Sequence, residues 1–334
     1  MQMPIKPVSS PSQVSLMQAI TQDRYGLPEV LSLGHIDRPV PRDHEVLIQV
    51  RASSVNAADW ILMRGRPYLA RLATGLRRPS QPVLGMDAAG RVEAVGPGVT
   101  RFRPGDEVYG EVTGAYAEYA CGHEDKLALK PASASFEQAA ACPIAGVTAL
   151  QAMRDKAEVQ PGDKVLIIGA SGGVGTFAVQ IARALGAEVT GVCSTRNLDL
   201  VCSLGAAHTV DYTREDFTRG AARYDAILDL IGSAPISACR RITRPGGVYI
   251  SSVGRLGRSL AALSASLVPR FGSGRVTLLA AQANHRDLSA LGELVESGEV
   301  EPTIDRRYSL AEVPEALRRQ GEGHARGKSV IGIQ

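Results

Sequence analysis

From residue 16 to about residue 130 the apolar positions come in short alternating runs, cut repeatedly by glycine and proline. EVLIQV (45–50) alternates with period two, as a half-buried strand does. GMDAAGRVEAVGPGVTRFRPGDEVYGE (85–111) strings short strands between turn dipeptides such as Pro97-Gly98 and Pro104-Gly105. This predicts a twisted, mostly antiparallel β-domain. From Gly162 the pattern changes. KVLII (164–168) is continuously apolar, as expected of a strand buried on both faces. Val174, Phe177, Ala178, Ile181, Ala182 and Leu185 then share one helix face, closed by Gly186. Further strands are expected at 188–193, 208–212, 224–231, 246–253 and 275–280, with a helix over 196–205. Strands alternating with helices predict a parallel, doubly wound sheet. The tail returns to mixed texture, with a helix near 286–297, an amphipathic VPEALRRQ and a terminal strand SVIGIQ.

The join between the first parallel strand and its helix reads LIIGASGGVG (166–175). GASGG fits G-x-S-x-G, the elbow that exposes a nucleophilic serine in α/β-hydrolases. The same residues also read as a glycine turn whose backbone N–H groups hold a dinucleotide pyrophosphate at a helix N-terminus. Three features favour the second reading. KVLII looks like the first strand of its sheet, whereas a hydrolase elbow normally follows several strand–helix units. No upstream HGGG-type turn is present to form an oxyanion hole. Gly175 is redundant in a serine elbow and is explained by close helix-to-strand packing in the dinucleotide fold. Ser171, Gly172, Gly173 and Val174 are therefore expected to form a phosphate cradle. At the end of the second strand stand Cys193, Ser194, Thr195 and Arg196, with no acid at the tip to take ribose hydroxyls. Hydroxyls and a guanidinium suit a 2′-phosphate, so NADPH is the expected cofactor.

Composition narrows the classes without naming one. A chain of 334 residues suggests about two domains. A net charge of +3, with no interleaving of basic and aromatic residues, argues against nucleic acid as a partner. Five widely spaced cysteines with no C-x-x-C suggest a reduced, cytoplasmic protein. Residues 1–15 lack the apolar core of a signal peptide and are expected to be a disordered leader. The most apolar window, 139–153, carries Pro143 and Gly146 and is too short to span a bilayer. Cys121-Gly122-His123-Glu124-Asp125 gathers several ligand types but reads better as a solvated turn than as a metal site.

Together, the Gly-rich β-segment, PIAGVTALQAM and GASGGVGTFAVQIARALGAEVTGVCSTR closely resemble the medium-chain dehydrogenase/reductases, in particular their zinc-free quinone oxidoreductase (zeta-crystallin-like) branch. The resemblance covers about residues 16–334. It implies an α/β protein with a GroES-like, β-rich substrate domain (16–145, completed by 286–334) and a doubly wound, parallel-sheet Rossmann domain (146–285). Where zinc-dependent members of the superfamily place their ligands, this sequence has Asn56, Met86 in Gly85-Met86-Asp87, and Ile144 ahead of Thr148. Those three side chains do not make a zinc site, and Cys142 is at the wrong spacing.

Without a Lewis acid, an ordinary ketone is hard to polarise near neutral pH. Quinones and α,β-unsaturated carbonyls are easier acceptors, because conjugation spreads the incoming negative charge. The resemblance implies that Asn56 and Thr148 lie near the nicotinamide and that Ser252, Val253 and Gly254 line its pocket. It also implies that Tyr212 flanks the adenosine and that Lys328 in GHARGKSV approaches the cofactor phosphates; a surface lysine is the alternative. Tyr68 matches a tyrosine of related quinone and enoyl reductases, and proton donation and packing are both open for it. Arg64 to Arg78 carries five arginines that could attract a phosphorylated acceptor such as an acyl-CoA. An apolar helix at 259–271 reads as a lid, a homodimer contact or a membrane-facing patch. An enoyl-thioester reductase and a low-turnover, NADPH-binding redox-sensing protein are the competing functions.

Overall fold

A computed structural model describes residues 15–68, 71–252, 275–323 and 325–334. The expected leader up to residue 14 and the apolar helix at 259–271 lie outside the described residues.

The β-domain opens with β1 (Leu16–Gln22) and β2 (Leu31–Asp37), an antiparallel pair. β3 (Glu45–Ser54), β4 (Asp87–Val95), β5 (Glu107–Glu111), β6 (Tyr119–His123) and β7 (Leu127–Leu129) follow. Between β3 and β4 lie helices α1 (Ala57–Arg64) and α2 (Arg71–Thr74). β3 is the spine of the sheet, pairing antiparallel with both β4 and β6. The predicted alternation holds: Val46, Ile48 and Val50 of β3 face a core shared with Val92, Val108, Tyr116 and Leu127.

Helices α3 (Phe136–Ala141) and α4 (Pro143–Leu150) lead into the second half. There β8 (Lys164–Ile168), α5 (Gly173–Ala184), β9 (Glu188–Cys193), α6 (Leu198–Ser203), β10 (His208–Asp211), β11 (Tyr224–Asp229), α7 (Ile236–Ile242), β12 (Thr243–Ser251) and β13 (Arg275–Leu278) alternate. The six strands lie in the order β10-β9-β8-β11-β12-β13 and pair entirely in parallel. Both sheet faces are covered. Val165 and Ile167 enter one core, while Leu166 and Ile168 enter the other. That explains why β8 reads as an unbroken apolar run. Strand order reverses between β8 and its neighbours β9 and β11, which opens a crevice at the carboxyl ends of the strands.

The chain then returns to the β-domain through α8 (His285–Glu296), β14 (Ile304–Ser309), α9 (Val313–Glu322) and β15 (Lys328–Gly332). β15 adds antiparallel to β3, with Val330 opposite Ser54, and β14 adds parallel to β15. The amphipathic α9 buries Val313, Ala316 and Leu317 in the β-domain core. The expected domain boundary at 145/146 falls inside α4. Ala145 and Val147 of this helix share a core with Ala89 of β4, Ile167 of β8 and Leu288 of α8, so the two halves meet through a continuous apolar seam.

Candidate cofactor cleft and active site

The glycine turn follows β8 directly. Gly169 has φ +90°, a conformation that L side chains rarely adopt, and its N–H and that of Ala170 both bond to Val192 O on β9. The turn ends at Gly172, whose side of α5 has no side-chain cap and no acid in the first turn. A Cβ at Gly175 would lie 2.2 Å from Gly169 O, so only glycine lets α5 pack this closely on the strand. A Cβ at Gly172 would meet only Gly169 O, at 3.5 Å, leaving that face open. An uncapped helix start with a positive field and room beside it suits an anionic phosphate. Beyond it lies a cleft of about 260 Å³ lined by Ser171, Gly172, Ser194, Arg196, Asn197 and Tyr212, among others. Ser171 Oγ accepts a hydrogen bond from Asn197 Nδ2 at 2.9 Å, and no imidazole among the described residues bonds to it. Among the described residues it therefore has no general base, which favours the cradle reading over the nucleophile.

At the far end, Ser194 Oγ accepts from Asn197 Nδ2 at 3.3 Å, and Tyr212 is 59% exposed on the rim. Thr195 is placed differently from the expected phosphate contact. Its hydroxyl donates to Asp211 Oδ2, on the neighbouring strand, so its proton is already committed. Thr213 adds bonds of 2.9 and 2.7 Å to the same carboxylate, and Arg214 lies 3.5 Å away. The Thr195 hydroxyl first, then Thr213 and Arg214, hold the Asp211 carboxyl below its ordinary range. An acid therefore does stand near the cleft, contributed by β10 and engaged by Thr195, Thr213 and Arg214.

A second polar cluster lies buried where β3, β4, α4 and β15 converge. Asp87, fully buried at the start of β4, accepts from Ser54 Oγ at 2.7 Å, Asn56 Nδ2 at 2.9 Å and Ile144 N at 3.1 Å. Lys328 is not the surface lysine that the sequence left open as the alternative. It is buried, and its Nζ donates to Asn56 Oδ1 at 2.6 Å and Val55 O at 3.0 Å, with Asp87 Oδ2 at 3.5 Å. The approach to the cradle is made by the backbone before it, where Gly327 N donates to Ser171 O at 2.9 Å. The side-chain stem of Lys328 then passes Gly173 on its way to Asn56. One short segment thus ties the glycine turn to the Asn56 cluster.

Beneath Asn56, the fully buried Asp59 accepts from Asn56 N at 2.8 Å and Tyr116 Oη at 3.0 Å, while its Oδ1 has no partner among the described residues. Burial pushes its pKa up to about 6. Thr148 donates to Ile144 O at 2.5 Å, within its own helix, leaving its oxygen as an acceptor only. Ser252 N donates to Asp229 O at 3.0 Å; Val253 and Gly254 lie outside the described residues. Tyr68 is not brought into the cluster. It is 63% exposed, its hydroxyl accepts from Arg66, and the guanidiniums of Arg66 and Arg71 lie over its ring. The Cys121–Asp125 run is the end of β6 and the short helical turn after it, where Glu124 accepts from Thr100 N, Arg101 N and His44 Nδ1. Among the described residues no group of three His, Cys, Asp or Glu side chains could hold a metal ion. No helix among them is long and apolar enough to cross a membrane.

Sequence reasoning passed over Asp87 and Asn197. The signal for the first was an acid opening the otherwise small and apolar DAAG. The second carried no local signal beyond following Arg196.

Comparison with known proteins bears on this arrangement. Residues 204–331 match the family model for zinc-binding dehydrogenases, and residues 42–132 match that for the alcohol dehydrogenase GroES-like domain. The chain is 33% identical over 340 residues to Quinone-oxidoreductase QR1, chloroplastic, of Triphysaria versicolor, across 95% of this chain and 98% of that protein. It is 32% identical to NAD(P)H oxidoreductase RTN4IP1, mitochondrial, of Mus musculus, across 99% and 93% of the two chains. Among solved structures, the quinone oxidoreductase from Coxiella burnetii superposes with a TM-score of 0.85 at 33% identity, across 96% of this chain and all of that one.

Proposed function

This chain belongs to the medium-chain dehydrogenase/reductase superfamily, in its quinone oxidoreductase branch of NAD(P)H-dependent oxidoreductases, and from that premise we propose that it uses NADPH to reduce quinones or α,β-unsaturated carbonyls without zinc. The observation that carries the cofactor choice is the far end of the cleft. Ser194 and Arg196 line it, and the nearby acid, Asp211, is already satisfied by Thr195, Thr213 and Arg214. An NADH site would offer a carboxylate to the ribose hydroxyls there.

The donor set at Asn56 supports the zinc-free part. An amide stands where the resemblance expects a ligand, and the Lys328 ammonium is hydrogen-bonded to its oxygen. A fixed positive charge against a neutral amide disfavours a dication at that point. NADPH, when bound, supplies the hydride at nicotinamide C4. The residues then have to hold the acceptor and its developing negative charge. Asn56 has one amide hydrogen beyond the bond to Asp87, and Lys328 on its carbonyl polarises that N–H toward stronger donation. A proton from solvent completes the hydroquinone or saturated carbonyl.

The test is steady-state oxidation of NADPH and NADH against quinones, enones and enoyl-CoA thioesters, with bound zinc measured on the same preparation. Turnover of quinones or enones with NADPH and no stoichiometric zinc is the expected result. Turnover of enoyl-CoA alone would replace this reading with a thioester reductase. Tight NADPH binding with no turnover would replace it with a sensing role.

A further inference from the structure

Asn197 lies between β9 and α6, contacts no sheet hydrogen-bond ladder and is 4% exposed, yet it lines the cleft. Its Nδ2 donates to two hydroxyl oxygens at once, Ser171 Oγ in the glycine turn and Ser194 Oγ at the end of β9. Its Oδ1 is buried with no hydrogen-bond partner among the described residues. A buried, unsatisfied amide oxygen costs about 1–3 kcal/mol, which asks for a compensating role.

The direction of these two bonds matters. A serine hydroxyl that accepts from an amide keeps its own proton free to donate elsewhere. With Nδ2 facing them, Ser171 and Ser194 both present O–H donors to the cleft. With the amide turned over, Oδ1 would take both protons, and the cleft would present lone pairs to an anion. We propose that Asn197 is the positioning residue of the nucleotide site: its Nδ2 sets both serine hydroxyls as donors toward the cofactor's phosphates. This rests on the proposal that the cleft holds a pyridine nucleotide. It adds a residue that acts through Ser171 on the portion shared by NADH and NADPH, whereas Arg196 acts on the 2′-phosphate alone.

Binding of NADPH and of NADH is measured by titration calorimetry on the wild-type protein and on Asn197→Asp, Asn197→Ala and Ser171→Ala, with the melting temperature of each unliganded protein recorded alongside. Asn197→Asp keeps the shape, reverses the two hydrogen bonds and adds a negative charge. It is expected to weaken both nucleotides about 100-fold, and its affinity should recover relative to wild type as pH falls and the carboxyl protonates. Asn197→Ala, which frees the hydroxyls to rotate, should lose about tenfold or less. The Asp penalty should shrink in the Ser171→Ala background, because one of the two reversed hydroxyls is then absent. A residue that merely fills space would give the opposite order, with Ala the worse variant in both affinity and melting temperature and no pH-dependent recovery; that result overturns the proposal. If wild type binds NADH and NADPH equally while the Asp variant weakens both, the NADPH preference falls and the role of Asn197 stands. If wild type binds neither nucleotide, both fall.

Discussion

The cofactor cleft and the buried cluster around Asn56 are both polar sites, yet they are built in opposite ways. The cleft is lined mainly by short stretches at the strand ends of one sheet, 168–172, 192–197, 212 and 231–233, with Gly323 and Ala325 added from the C-terminal segment. The cluster gathers Ser54, Asn56, Asp87, Ile144 and Lys328, with Lys328 reaching partners 241 and 272 positions earlier in the chain. The cleft presents its donors to a ligand and keeps the Asp211 carboxylate occupied. The cluster instead spends almost all its hydrogen bonds on itself. The first is a site that tolerates change in its side chains at the expense of affinity. The second is also a joint between domains, where change should be felt as stability.

The largest expected effect lies in the joint. Asp87→Ala would leave the Lys328 ammonium buried without its carboxylate, and breaking a buried ion pair in this way costs about 3–5 kcal/mol. Thermal unfolding should show a drop in melting temperature on the order of 10 °C. A change near zero would mean that the cluster is less dry than its burial indicates, and the contrast with the cleft would collapse.

The next effect is electrostatic and has a definite sign. Burial holds the Asp59 pKa at about 6, above the 3.8 expected when unfolded, so the folded protein keeps a proton that the unfolded chain releases. Stability attributable to Asp59 is therefore present at low pH and is lost as pH rises from about 4 to about 6, by roughly 3 kcal/mol. Asp59→Asn, which stays neutral, should be more stable than wild type at pH 8 and should lack that decline when melting temperatures are followed across pH 4–8. If the two proteins share the same pH profile, Asp59 is not the titrating group.

The smallest effect belongs to the cleft. Arg196→Ala should lower the preference for NADPH over NADH by ten- to one-hundred-fold, from the roughly 1.5–3 kcal/mol of a charge-assisted hydrogen bond. The melting temperature of the unliganded protein should stay within about 2 °C, since a surface substitution usually moves stability by under about 0.5 kcal/mol. A large fall in melting temperature would make Arg196 part of the framework.

Much of the cleft was legible because its causes are local. Gly169 and Gly175 announce a turn and a close packing that only glycine permits, and the hydroxyls and guanidinium after β9 follow at once. What the sequence does not show are the partners supplied by another strand. Thr195 takes Asp211 of the neighbouring strand as its acceptor, and Asn197 gains its role only from Ser171 and Ser194 on either side. GHARGKSV, polar and glycine-rich, carries no local sign that Lys328 is buried. Its surroundings in space are Val55, Asn56 and Asp87.

The sequence alone determined the two strand textures, the alternation of strand and helix after Gly162, and the glycine turn, since periodicity and backbone sterics act over a few residues. Tertiary structure decided which charges meet. β15 must lie against β3, and β3 against β4, before Lys328 can find Asn56 and Asp87. The energy of a charge depends on what surrounds it in space, and neighbours more than two hundred residues away in the chain leave no trace in the local pattern.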